Sequence, residues 1–190
     1  MGKDYVVGSP IRQDFLETAI DWISEGHIDG YMAQHQHDAS ALPLWTYFQS
    51  VMTWVAGTFP EKRREMKGVD WGMLHRKFGG KVLDAKALEK EIGRLMGDSD
   101  VTNKKGIYPY VLTRDERFLN LRAFEPEMKR EAYERQKGVC ANAKCPEKGR
   151  RLELEEMEAD PITPWSKGGR TVAQNCQLLC RDCNRRKSAR

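Results

Sequence analysis

The sequence lacks a long apolar segment and is poor in histidine. No run of about 18 apolar residues is present, so we expect no transmembrane helix. The first residues contain no apolar segment typical of a secretory signal. There are 4 histidines among 190 residues, and none follows His75. We therefore expect a cytoplasmic protein that does not associate with membranes and whose C-terminal part contains no imidazole.

The thiol content favours metal binding over disulfides. Thiols stay reduced in the cytoplasm, and the chain has 5 cysteines, which in that compartment are more often metal ligands than disulfide partners. Charged residues make up 32% of the chain and hydrophobic residues 39%. This composition is typical of a globular protein, and the length allows one medium domain or two small ones.

Positive charge is concentrated near the C-terminus. Residues 1–125 contain 17 Lys/Arg and 18 Asp/Glu, whereas residues 126–190 contain 15 and 10. A local basic excess is typical of a surface that meets phosphate. A solvated surface is the alternative interpretation.

Helical spacing of apolar residues dominates residues 1–125. Ser9 and Pro10 form a helix start, with serine at the N-cap and proline at the first position, and Asp84 caps a later helix. Residues 107–112 contain β-forming residues interrupted by Pro109, which allows an edge strand at most. We predict a helical domain of unknown role over residues 1–125, with helices at 10–24, 27–36, 41–59, 60–66, 69–78, after 84 and at 114–124.

A second pattern begins at Pro126. A charged helix over 127–136 ends at Gly138. It is followed by an alternating segment, 151–160, that predicts a strand, and then by a loop, a second strand over 172–179 and a helix over 181–187. Strand, loop, strand and helix form a ββα arrangement, which we assign to a domain over 126–190. The predicted fold class is α+β.

Two cysteine pairs lie within this domain. Cys140 and Cys145 are separated by four residues, and Cys180 and Cys183 by two. Four thiolates suit a structural, tetrahedral Zn²⁺, and a small domain benefits from such a metal. Paired cysteines also occur in redox motifs, but no thioredoxin-like pattern accompanies these. The fifth, Cys176, is predicted to pack as a small apolar residue.

The histidines and tryptophans suggest no second site. His35 and His37 are two residues apart and would point to different sides of a helix, which disfavours a shared metal. His27 and His75 are isolated. The aromatic residues at helical spacing are predicted to belong to a core.

The C-terminal motifs resemble the HNH endonuclease family over residues 130–188. That family's pattern runs Asp-His-Ile, Pro, Ser-x-Gly-Gly, Asn, Leu-Cys-x-x-Cys-Asn and Lys. The matching residues here are Asp160, Ile162, Pro164, Ser166, Gly168, Gly169, Asn175, Leu179, Cys180, Cys183, Asn184 and Lys187.

The resemblance implies a metal-dependent nuclease site. One Mg²⁺ or Mn²⁺ would stabilise charge on the scissile phosphate and the leaving 3′ oxygen. Asp160 and Asn184 would hold it with hard oxygen ligands. Asn175 would fix the loop through hydrogen bonds to backbone, and a histidine after the aspartate would be the general base.

That histidine is replaced by Pro161. Three explanations remain open: a weak or inactive natural variant, an inactivating substitution, or recruitment of another base. Candidates for such a base are Glu158 and a histidine of the helical domain. We expect cleavage to be weak or absent.

Basic residues of the module are expected to contact double-stranded DNA through phosphate. Trp165 is a candidate for stacking in a groove or for local packing. The predicted DNA contacts are Lys167, Arg170, Arg181, Arg185, Arg186, Lys187 and Arg190.

The helical part resembles the region that precedes the HNH module in bacterial restriction proteins of the GmrS type, which carry a ParB-like domain. The segments Leu44-Trp-Thr-Tyr-Phe-Gln and Gly106-Ile-Tyr carry this second resemblance. It implies a ParB-like nucleotide-binding domain or subunit as a partner. The domain's Asp-Gly-Gln-Gln-Arg motif is absent here, so the chain is interpreted as a fragment or a shortened relative.

The leading hypothesis is an HNH DNA endonuclease, a phosphodiester hydrolase of restriction or phage defence whose activity Pro161 weakens or abolishes. The alternative is a non-catalytic, zinc-stabilised DNA-binding or adaptor protein. A structural zinc protein without a nucleic-acid partner is third.

Overall fold

The computed structural model describes residues 3–8 and 13–188. The chain divides into two compact units, residues 1–121 and 122–190. That these units are the two domains predicted above stays a prediction. The predicted helix start at Ser9 and Pro10 lies outside the described residues.

The first unit is helical. Its helices follow the predicted order, but the segment 60–66 forms only a 3-10 turn, Arg64–Met66, and the segment 114–124 only Glu116–Leu119. The helices are α1 (Asp14–Ser24), α2 (Ile28–His35), α3 (Leu42–Thr58), α4 (Trp71–Phe78), α5 (Ala85–Met96) and α6 (Ile107–Thr113).

Aspartate caps determine where two of these helices begin. The Asp84 carboxylate accepts from the backbone N–H groups of Lys86 and Ala87, which satisfies donors that have no partner within the helix. Asp70 accepts from the N–H of Met73 in the same way. Both caps are visible in the sequence as an aspartate before an apolar pattern.

The edge strand predicted over 107–112 is wrong, because this segment is helix α6. Pro109 lies in the first turn, where a missing N–H leaves no hydrogen bond unmade. Ile107 to Val111 are all buried, so this segment is apolar on every side of the helix. Periodicity alone does not distinguish such a fully buried helix from a buried strand. A Cβ on Gly106 would lie 1.7 Å from the carbonyl oxygen of Phe118, so glycine is required at the start of α6.

Aromatic side chains form the centre of this unit, as predicted. Phe59, Trp71 and Tyr108 are fully buried. Their ring centroids are 5.3 to 5.4 Å apart in tilted or edge-on arrangements, which are favoured geometries for aromatic pairs. These rings are core residues and are not accessible for base stacking.

The second unit is a small α+β arrangement. It contains α7 (Pro126–Gln136), β1 (Met157–Pro161), β2 (Cys176–Cys180) and α8 (Arg181–Ser188). The two strands pair antiparallel, with Met157 opposite Cys180 and Asp160 opposite Gln177. The predicted strand over 151–160 is shorter than expected, since Leu154–Glu156 form a 3-10 turn. With the helices of the first unit, this sheet confirms the α+β class.

The core of the second unit is continuous with its cysteine cluster. Ala132 and Tyr133 of α7 pack with the inward residues of both strands. The Tyr133 hydroxyl donates to the carbonyl oxygen of Leu152 at 2.7 Å. The other buried members are Cys140, Cys145, Leu152, Met157, Cys176, Leu178, Leu179, Cys180 and Cys183.

None of the helices within the described residues is both long enough and apolar enough to span a bilayer.

Candidate metal centre and nuclease site

Four buried thiols converge where β2 meets α8. The Sγ atoms of Cys140, Cys145, Cys180 and Cys183 all lie within 4.8 Å of one another, and those of Cys145 and Cys180 are 3.7 Å apart. Tetrahedral zinc with Zn–S bonds of about 2.3 Å places its sulfurs about 3.8 Å apart. The four thiols therefore lie close enough together to bind a structural zinc.

Polar groups donate hydrogen bonds to thiols of this cluster. The backbone N–H of Cys180 donates to Cys140 Sγ at 3.3 Å, and Asn142 Nδ2 donates to Cys183 Sγ at 3.1 Å. Burial opposes ionisation of Cys183, but the hydrogen bonds from Asn142 and the neighbouring thiols hold its pKa below the ordinary value. Burial raises the pKa of Cys180 to about 12, so loading of the site releases protons.

Cys176 is separate from this cluster. It is fully buried on β2 among the apolar residues of the core, and it is not among the four converging thiols. Its predicted packing as a small apolar residue is confirmed.

Two carboxylates of β1 face two polar side chains of α8. Glu158 and Asp160 are two residues apart and so lie on one face of the strand. Asn184 and Lys187 are three apart and lie on one face of the helix. Asn184 Nδ2 donates to Glu158 Oε2 at 2.5 Å, and Lys187 Nζ donates to Asp160 Oδ2. Asp160 and Asn184, both predicted as metal ligands, thus belong to one strand–helix interface.

The Asp160 carboxylate is buried and has a second partner. Gln177, opposite Asp160 on β2, donates from Nε2 to Asp160 Oδ2 at 2.8 Å. Lys187 Nζ also donates to the carbonyl oxygen of Pro161 at 3.1 Å. The carboxylate is held in one orientation from both the sheet and the helix.

Asn175 connects the two ends of the loop between the strands. Its Oδ1 accepts from the N–H of Thr163 at 2.8 Å, and its Nδ2 donates to the carbonyl oxygens of Thr163 at 3.0 Å and Arg170 at 2.9 Å. A Cβ on Gly169 would lie 1.9 Å from the Thr163 carbonyl oxygen, so glycine allows this close approach. The family-implied catalytic role of Asn175 stays a prediction.

We expect Asn175→Ala to destabilise the second unit by about 1 to 3 kcal/mol, because three backbone groups lose their partner. Thermal unfolding and limited proteolysis of the loop measure this effect. Asn175→Asp retains the acceptor for Thr163 and should lose less stability. Equal melting of Asn175→Ala and the unaltered protein would contradict the role of Asn175 in fixing the loop.

Pro161 ends β1 without breaking the sheet. The N–H of Ile162 donates to the carbonyl oxygen of Asn175 at 2.9 Å, so Pro161 and Cys176 form a non-hydrogen-bonded pair. In such a pair the missing N–H of proline would not point into the ladder. Arg135 Nη2 donates to the carbonyl oxygen of Cys176.

Several basic residues predicted to bind DNA have protein partners. Arg181 donates to the carbonyl oxygen of Glu155 at 2.8 Å, and Arg185 pairs with Asp182 at 2.5 Å. Arg186 Nε donates to the Asp182 carbonyl oxygen, and Arg186 Nη2 lies 3.8 Å from Cys183 Sγ. These contacts place Arg186 beside the thiol cluster.

The remaining predicted contacts lie on the loop and at the C-terminus. Lys167 is exposed on the turn Trp165–Lys167, and Arg170, which follows the Gly-Gly pair, is also exposed. Trp165 is partly exposed. Arg190 lies outside the described residues.

The histidines all belong to the first unit. His35 Nδ1 lies 2.8 Å from Asp38 Oδ2, and its ring stacks on Tyr31. Burial lowers the pKa of His75, whose ring lies edge-on to Trp54 and Tyr47. Among the described residues, the thiol cluster is the group found to fit a metal ion.

The sequence did not predict two contacts of the site: Glu158 with Asn184, and Lys187 with Asp160. The alternation of Glu158 and Asp160 was the available signal, since it places both on one face of a strand. Lys187 was interpreted as a DNA contact because it follows other basic residues.

A two-stranded sheet followed by a helix defines a ββα module, and the four thiols at the junction could bind a structural metal ion. The family model described as HNH endonuclease matches residues 140–190. The resemblance to this family is thereby confirmed for that segment. Comparison with curated proteins and with solved structures finds no match for this chain.

Proposed function

We propose that the second unit is a metal-dependent HNH endonuclease module that hydrolyses phosphodiester bonds in double-stranded DNA, with activity weakened by Pro161. The observation that carries the proposal is the interface between β1 and α8, where Asn184 contacts Glu158 and Lys187 contacts Asp160. The HNH family match over residues 140–190 supports it.

The residues present fit a hard divalent cation. A carboxylate oxygen of Asp160 and the amide oxygen of Asn184 are ligands that Mg²⁺ and Mn²⁺ accept. The ion pair between the Lys187 ammonium and Asp160 supports the assignment of this position to a cation. When bound, the divalent cation supplies charge stabilisation at the scissile phosphate and the leaving 3′ oxygen.

The protein's own groups position the substrate. Asn175 holds the loop that carries Lys167 and Arg170, which are placed to contact phosphate. The basic residues of α8 supply further positive charge. Arg181 donates to the Glu155 carbonyl oxygen, and Arg185 pairs with Asp182 at the surface. The Arg185–Asp182 pair exchanges for phosphate at little cost, because exposed ion pairs contribute about 0 to 1 kcal/mol.

Plasmid nicking with added Mg²⁺ or Mn²⁺ tests the proposal. We expect slow conversion of supercoiled to nicked plasmid that requires the added cation and is lost in Asp160→Ala, because the buried carboxylate is a metal ligand. Asp182→Ala is the matched control, since Asp182 is exposed on α8 and pairs with Arg185. It should nick at the unaltered rate. Nicking that survives Asp160→Ala would contradict the assigned site.

The second candidate function is DNA binding without cleavage, and Pro161 is the observation that favours it. Such a module would slow the migration of a DNA duplex on a native gel in a salt-dependent manner, and the duplex would stay uncleaved with every variant. Restriction or phage defence in the cytoplasm, with a ParB-like nucleotide-binding domain or subunit as partner, is the biological setting that we propose on the resemblance of the helical part.

A further inference from the structure

Lys187 occupies the side of Asp160 where a cation is needed. Its Nζ donates to Asp160 Oδ2 and to the Pro161 carbonyl oxygen. A carboxylate oxygen and a carbonyl oxygen are also the ligands that a hard divalent cation prefers. The ammonium therefore neutralises the carboxylate assigned to the metal.

The two partners differ in their access to solvent. The Asp160 side chain is 11% exposed, whereas that of Lys187 is 42% exposed. Gln177 holds the carboxylate from the strand side. Asp160 is thus the fixed member of the pair, and the long lysine side chain is the member that can leave.

A divalent cation on Asp160 and the ammonium of Lys187 would repel each other, because like charges a few ångströms apart repel strongly where the effective dielectric constant is lower than that of water. The cation must therefore displace Lys187 or bind weakly. A DNA phosphate offers the ammonium another anionic partner, and Lys187 lies on the basic helix α8 near Arg185 and Arg186.

We propose that Lys187 is an exchangeable counter-ion of Asp160 that DNA phosphate draws away, so that DNA and the divalent cation bind cooperatively. This inference rests on the proposed function, because it assumes the Asp160 metal site. It assigns to Lys187 control over when that site takes its cation. A cation would then enter mainly when DNA is bound.

Calorimetric titration of the zinc-loaded full-length protein with Mn²⁺, without DNA, tests the first step. We expect Lys187→Gln to bind Mn²⁺ about fivefold tighter or more than the unaltered protein, as for coupled sites in general, since the competing charge is gone. Lys187→Arg retains the positive charge and should stay near the unaltered affinity. Thermal unfolding confirms that each variant is folded.

Arg185→Gln is the matched control. It removes one positive charge from the same helix, but Arg185 pairs with Asp182 and not with Asp160. We expect its Mn²⁺ affinity to stay within about twofold of the unaltered protein, because screened charges at the surface act weakly. A gain equal to that of Lys187→Gln would overturn the proposal in favour of a general field effect.

The second step is tested by repeating the Mn²⁺ titration with a saturating short DNA duplex, whose integrity is checked on a gel. The unaltered protein should bind Mn²⁺ about fivefold tighter with the duplex than without it, and Lys187→Gln should show a smaller gain. Equal affinities for all variants, or no Mn²⁺ binding with or without DNA, would overturn the inference. If the Mn²⁺ affinities differ as expected but no plasmid is nicked, only the nuclease proposal is refuted.

Discussion

Pro161→His is expected to raise plasmid nicking by about 10²- to 10⁴-fold, the usual contribution of a general base. The described part of the second unit contains no histidine, and Pro161 follows the metal-ligand candidate Asp160 directly. A new imidazole at this position would accept the proton of the attacking water.

Position 161 lies at the end of β1. The side chains of consecutive strand residues point to opposite faces, so the side chain at position 161 and that of Asp160 lie on opposite faces of β1. The substitution should fold, because Pro161 and Cys176 form a non-hydrogen-bonded pair at the end of the ladder.

The nicking rate of Pro161→His should rise with pH through roughly 6.5, the ordinary pKa of histidine, because only the neutral imidazole accepts a proton. Pro161→Ala is the control, since it restores a backbone N–H without adding a titratable group. A gain in Pro161→Ala equal to that in Pro161→His would show that proline, and not the missing base, limits cleavage.

Cys183→Ala is expected to abolish zinc binding and unfold the second unit. Structural zinc contributes about 10 to 16 kcal/mol of apparent binding free energy in small zinc domains, which exceeds the stability of most small domains. The four Sγ atoms converge within the core of this unit. Loss of one ligand therefore removes the centre around which β2, α8 and the Cys140–Cys145 turn are arranged.

Elemental analysis and circular dichroism measure this result. We expect about one zinc per chain in the unaltered protein and almost none in Cys183→Ala. Helical signal from the first unit should remain, because that unit has its own buried aromatic core. Cys176→Ala is the matched control: it removes a buried thiol outside the cluster and should retain zinc. A folded second unit without zinc in Cys183→Ala would contradict the structural role of the metal.

Local patterns predicted much of this molecule from the sequence. Asp84 indicated where α5 begins because a cap acts on N–H groups two and three residues away. The four cysteines were predicted from their spacing, because a tetrahedral metal site constrains it, whereas the roles predicted for Asp160 and Asn184 followed from the resemblance to the HNH family. The run Ile107–Leu112 was misread because burial on every side removes the periodicity that distinguishes a helix from a strand.

By itself the sequence determined the helical character of the first part, the α+β class, the four-thiol centre and the HNH motif, since each depends on residues close together in the chain or on fixed spacing. Only the tertiary structure decided that Glu158 contacts Asn184 and that Lys187 contacts Asp160. These partners are 26 and 27 residues apart. Their contact depends on how α8 packs against β1, and that packing follows from the three-dimensional junction at Cys180 and Cys183.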